Sequence, residues 1–179
     1  SKSGWLIAIG MVVVMVLRLI PSRGIRLAIA CGVAVAGLAG FAVKFSPYFK
    51  AGATSVSARF DYWRAAGRTA VQNPVLGTGP GTFGKAYAKI RPPEAEMTHL
   101  VHNDYLEQAS DSGVIGFIGF SVFWLVTLVR TGRAAWGDGR PELFGCWLGL
   151  SSWCAQMFSE FHLYIPALSW PAFLLAGWL

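Results

Sequence analysis

Three histidines and a group of arginines carry most of the chemistry this chain could perform. His99 and His102 stand three apart in "HLVHNDYLEQ", and His162 follows Glu160 in "SEFHLYIP". An imidazole titrates near neutral pH, so it can exchange a proton or bind a metal. Zinc would need three or four ligands with matched support, and the spacing fits neither HExxH nor a cysteine-bearing deaminase pattern. No metal is therefore expected. His102 could be a hydrogen-bonded core group, but beside a membrane interior a buried ionisable residue usually faces a cavity or a path.

Arg59, Arg64 and Arg68 lie in "SARFDYWRAAGRTAVQNP". A helix is expected over 57–73, with Ser57 as its N-cap and Pro74 ending it by restricting Asn73. Asp61, Arg64 and Arg68 share one face of that helix, where a solvated surface with an i,i+3 ion pair is the plain reading. Arg59 and Trp63 fall nearly opposite, so Arg59 is the arginine expected to turn inward beside an aromatic, whether as a snorkelling or cation–π residue or as a ligand contact.

In "NPVLGTGPGTFGKAY", glycines at 77, 79, 81 and 84 permit a sharp turn and could leave amides free for an anion, Gly79 and Gly81 foremost. The pattern is neither a P-loop nor a dinucleotide fingerprint. "KIRPPEAEMTH" reads as loop, broken by Pro92 and Pro93. A helix from about His102 to Ser112 would place Asp104, Glu107 and Asp111 on a wet stripe, with His102, Tyr105, Leu106 and Ala109 on the other side.

The elements that must position these groups read as membrane helices. The chain is 54% hydrophobic and only 13% charged, against roughly a quarter charged in soluble domains. Apolar runs at 4–20, 25–43, 113–129, 143–158 and 167–179, the last truncated, are read as spans. The expected fold class is all-α: a polytopic transmembrane helical protein of one membrane domain over 1–179, with an external loop at 44–112 containing short helices. The first run is too long for a signal-peptide core and precedes no cleavage site. The chain is expected to be an excerpt of a longer membrane protein.

Short basic connections, Arg18, Arg23 and Arg26 in one and Arg130, Arg133 and Arg140 in the other, fall on the same side by alternation, and the positive-inside rule makes that side cytoplasmic. Residues 44–112 and the turn around His162 then share the opposite face. Gly113, Gly116 and Gly119 recur at helical spacing, which would admit a close neighbouring helix. Cys31, Cys146 and Cys154 lie in apolar runs and act as small hydrophobes. The net charge of +6 is divided between two sides and forms no stripe with aromatics, so nucleic-acid binding is not expected.

Three motifs in order carry a resemblance. "ARFDYWRAAGRTAVQNPVLGTGPGTF", then "HNDYLEQASDSGVIGF", with "FHLYIPA" near the end, resemble the signature region of the O-antigen ligase and O-antigen polymerase superfamily. The match covers Arg59 to Phe120 well and does not separate ligase from polymerase. The resemblance implies a multi-pass glycosyltransferase of GT-C-like fold in the bacterial inner membrane, active on the periplasmic side with 44–112 periplasmic. It implies a glycan donor carried on undecaprenyl diphosphate, a glycan, lipid or protein acceptor, inversion at the anomeric centre, and no metal, nucleotide sugar or other cofactor.

Carried onto this chain, the resemblance makes His102 the family histidine that assists the acceptor hydroxyl and Arg59 the first arginine for the diphosphate, with Arg64 or Arg68 the second. Asn103 and Tyr105 of the same motif would hold the base or shape its pocket, beside Trp63, and His162 would approach from the turn between spans four and five. With four spans and part of a fifth, this chain alone is expected to be inactive. The rival readings are a membrane transporter or scaffold without catalysis, for which mid-membrane ionisable residues would be expected, and a metal-dependent membrane hydrolase.

Overall fold

The computed structural model describes residues 2–50, 54–137 and 139–179. Among them the regular elements are α1 Lys2–Arg18, α2 Arg23–Lys50, α3 Thr54–Gln72, α4 Phe83–Ile90, α5 Asp104–Gly137, α6 Pro141–Gln156, a 3-10 turn His162–Tyr164, and α7 Pro166–Trp178. There is no strand among the described residues. The chain divides into two compact units, Ser1–Ser57 and Ala58–Leu179.

The first unit is the pair α1 and α2, packed on each other. Ser22 Oγ accepts from the Ile25 amide at 3.4 Å, the N-cap geometry that starts α2. Arg23–Lys44 is 22 residues long and apolar enough to cross a membrane.

The second unit holds α3 from Ala58 onward, α4 to α7, and two cores. Tyr62, Ala65, Ala66, Phe83, Tyr87 and Val101 form one, between α3, α4 and the loop before α5. Trp124, Leu150, Cys154, Met157 and Ala172 form the other, where α5, α6 and α7 meet. α5, at 34 residues, is also long and apolar enough to cross a membrane, and it turns Val114, Ile115, Ile118 and Leu125 outward. The Trp147 indole N–H, which would be costly to leave unpaired in apolar surroundings, donates to the Leu128 carbonyl at 3.0 Å.

Gly113 interrupts α5 with φ 63° and ψ −165°, a combination open almost only to glycine. The kink lets the turn after α3 dock backbone to backbone: Val114 N–H donates to Pro74 O at 2.7 Å, Thr78 N–H to Ser110 O at 3.1 Å and Gly79 N–H to Asp111 O at 2.9 Å. A Cβ on Gly113 would overlap the Val75 carbonyl. The glycine at 113 therefore admits a loop where the spacing suggested a helix, and Gly119 faces open space.

Two further expectations are corrected. α3 begins at Thr54, so Ser57 is inside the helix and does not cap it. Asp104, Glu107 and Asp111 are not a wet stripe: their exposures are 0%, 0% and 1%. Each accepts from backbone that the helix must hold, Glu107 Oε2 from Val101 N–H at 3.1 Å, Asp104 Oδ2 from Leu163 N–H at 3.0 Å, and Asp111 Oδ2 from Gly81 N–H at 2.6 Å. Wheel periodicity treats an acid as a water-seeking group, but an orphan loop amide is an equally good partner.

Candidate active site

His102 ends the loop that enters α5, and two features fix it there. Its φ is 56°, the only positive value at a described residue other than glycine, a conformation that costs of order 1–3 kcal/mol and persists only when neighbours over-determine it. Asn103 then caps α5, its Oδ1 accepting from Leu106 N–H at 3.0 Å. The same Asn103 donates through Nδ2 to Phe158 O at 3.0 Å, and Asp104 N–H donates to Met157 O at 2.9 Å. With the Asp104–Leu163 bond, these contacts fasten the turn after α6 against the start of α5.

That fastening delivers Glu160. Arg59, reaching in from α3, donates through Nη2 to Glu160 Oε1 at 2.8 Å, while the other carboxylate oxygen, Oε2, lies 3.5 Å from His102 Nδ1. The second distance is within ion-pair range, but Nδ1 is buried without a formed hydrogen bond. Side-chain exposures of 32%, 28% and 18% for Arg59, His102 and Glu160 leave the cluster partly open.

Aromatic groups frame the imidazole. Tyr62 stacks on it at 5.8 Å, and Phe161 meets it edge-on at 4.7 Å. Trp63 Nε1–H donates to the His102 carbonyl at 3.4 Å. Burial pushes the His102 pKa below its ordinary 6.5; Glu160 draws it up through its contact and charge, and the Arg59 charge opposes Glu160. The ring is accordingly a neutral base at neutral pH.

Arg59, His102 and Trp63 are thus brought together. Tyr105 lies in the second core, its hydroxyl donating to Cys154 O at 3.3 Å and its ring 4.4 Å from Phe158, so it supports the turn carrying Glu160. Gly79 and Gly81 have their amides engaged by the Asp111 carbonyl and carboxylate, which hold the glycine-rich turn closed on α5. His162 Nδ1 is buried without a partner, and burial lowers its pKa, countered by the Glu160 charge. His99 is exposed and packs beside Gly84, at the start of α4. No group of three His, Cys, Asp or Glu among the described residues is arranged to hold a metal.

Arg64 and Arg68 lie elsewhere. They line a cavity of about 130 Å³ with Asp61, Ala65, Tyr87, Ile90, Arg91 and Pro92, and neither Arg59 nor His102 borders it. Glu160 is the residue that sequence reading missed. Its signal was slight: an acid two residues before a histidine in a short turn, with its partners far away in the chain.

Among the described residues the protein is all-helical, with two apolar helices of membrane length and an arginine–carboxylate–histidine cluster. The O-antigen ligase family model matches residues 1–121, and the chain belongs to that family. Its members carry out glycan transfer of the ligase or polymerase type with lipid-linked glycans. The matched region contains Arg59, Trp63 and His102; Glu160 lies beyond it. No curated protein and no solved structure matches the chain.

Proposed function

We propose that this chain contributes the reacting centre of a transferase that moves a glycan from undecaprenyl diphosphate to an acceptor hydroxyl, at the periplasmic face of the bacterial inner membrane. The single observation that carries the reading is the convergence of Arg59 and His102 on Glu160, at 2.8 and 3.5 Å.

In this reading the Glu160 carboxylate, 3.5 Å from Nδ1, favours the tautomer with the proton on Nδ1 and so leaves the lone pair on Nε2, the arrangement by which a carboxylate orients a basic imidazole. The acceptor hydroxyl gives its proton to Nε2 as its oxygen bonds to the anomeric carbon, with inversion. The bond from that carbon to the phosphate oxygen breaks, and its electron pair leaves with the lipid diphosphate. Arg59 uses one nitrogen on Glu160; its remaining donors are available to the diphosphate oxygens, where fixed positive charge opposes the charge that develops. Arg59 takes the counter-charge role that a metal would otherwise fill, so chelator is expected to leave transfer intact.

Sidedness has physical support as well. The loop ending at His102 and the turn at Glu160 are hydrogen-bonded to each other, which fits two helices, α5 and α6, crossing the bilayer out and back. The loop ending at His102 and that turn would then share the periplasmic side, opposite Arg130, Arg133 and Arg140.

The test is made in cells carrying the full-length protein. His102→Ala and Arg59→Lys should insert normally and accumulate unconsumed lipid-linked glycan. Donor of single repeats would mark a polymerase, and donor of finished polymer a ligase. Transfer close to wild type in His102→Ala would remove the base assignment.

A further inference from the structure

Arg64, Arg68 and Arg91 face a common cavity together with the Tyr87 ring. Three guanidinium groups around one space repel one another unless something negative joins them. Asp61 supplies one carboxylate, but it is engaged with Arg64 at 3.2 Å. Arg91 donates from Nη1 to the Ala95 carbonyl, a neutral partner that fixes the side chain without neutralising it. Arg68 has no ion-pair partner among the described residues.

Tyr87 makes the second, independent observation. It is 0% exposed, and its hydroxyl is buried without a hydrogen-bond partner. A buried hydroxyl left unpaired is destabilising, so it calls for a hydrogen-bond acceptor. Tyr87 is among the residues lining the cavity; burial raises its pKa most, with Tyr62 and Asp61 adding to the rise and Arg91 opposing it. The space of about 130 Å³ is well above what one water needs.

We propose that this cavity is a second anion site, separate from the Arg59 cluster, that binds a phosphate group through Arg68, Arg91 and Arg64, with the Tyr87 hydroxyl donating to it. Guanidinium forks suit the tetrahedral oxyanion, and a fixed phenol adds one neutral donor. α3 carries both sites on nearly opposite faces, Arg59 on one and Arg68 on the other, so one small group cannot engage both. The proposal does not rest on the transfer chemistry, because the binding is read without turnover.

The test uses the full-length protein in phosphatidylcholine nanodiscs, with arginine modification by phenylglyoxal followed residue by residue by mass spectrometry. Inorganic phosphate should protect Arg64, Arg68 and Arg91 saturably, beyond chloride at matched ionic strength. Tyr87→Phe should weaken that protection about two- to tenfold, as loss of one hydrogen bond does, and Arg68→Gln should weaken protection of Arg64 and Arg91 more. A parallel arm in phosphatidylglycerol nanodiscs without added phosphate distinguishes the source: protection there identifies a lipid headgroup, and protection only with soluble phosphate identifies a water-borne phosphate. No protection in either arm, or protection indifferent to both substitutions, overturns the site. Failure here would leave Arg59 and His102 assays untouched, and loss of transfer in those variants would leave this binding intact.

Discussion

Arg59 Nη2 donates to Glu160 Oε1 at 2.8 Å across 101 positions of sequence. Because the same carboxylate also approaches His102, Glu160 joins the two side chains, and in the function proposed above it positions His102 as the base and restrains Arg59 for the diphosphate.

Glu160→Gln retains the size of the side chain and removes its charge. Transfer should fall about ten- to a hundredfold, part of what general-base catalysis supplies. A merely structural Glu160 would lower the rate without altering its pH dependence. In the positioning role, loss of the charge that draws the His102 pKa upward moves the acid limb of the profile to lower pH.

In the wild type the sign follows from burial. His102 titrates below 6.5, so the rate should rise with pH through a value below 6.5 and be level at neutrality. Stability does not track this titration alone: His102 and His162, with folded pKa values below the unfolded one, lose stability on acidification, whereas Asp104 and Glu107, which burial raises to about 7 and about 8, gain it over the same range. A transfer rate that falls as pH rises through this window would contradict the assignment.

The helical architecture was legible in composition and periodicity: the apolar runs at 4–20, 143–158 and 167–179 fall within about two residues of α1, α6 and α7, while α2 and α5 run well past the ends of the runs at 25–43 and 113–129. Arg59 was legible as the inward arginine because helical spacing separates it from Arg64 and Arg68. Glu160 was not, because no local pattern encodes a hydrogen bond between segments so far apart. The buried acids of α5 were misread for a related reason. Their partners are the amides of Gly81, Val101 and Leu163, and a helical wheel contains only the helix.

Asp111→Ala tests that account of the acids. Losing the carboxylate that holds Gly81 N–H at 2.6 Å should cost roughly 1–3 kcal/mol, the range for a buried group left unpaired or a bond to a charged partner. Limited proteolysis should then cut within residues 77–84 at protease levels that spare the wild type. Unchanged cleavage would mean that the glycine-rich turn is held by its backbone contacts alone.

Gly113→Ala probes the kink. The substitution forces a side chain into φ 63° and against the Val75 carbonyl, at a cost of at least about 1–2 kcal/mol from the left-handed conformation alone. Because that kink seats the loop between α3 and α4, the melting temperature should drop and cleavage at 77–84 should increase together. A variant as stable as wild type would show that α5 can straighten without displacing the turn.

The most direct measurement uses His102→Asn, since asparagine accepts the positive φ of this position but cannot take up a proton. Full-length protein in proteoliposomes, supplied with undecaprenyl-diphosphate-linked glycan and acceptor, should retain donor binding and the wild-type melting temperature while transfer falls by about 10²–10⁴. Transfer within a few-fold of wild type by that folded, donor-bound variant would contradict the assignment of His102 as the base.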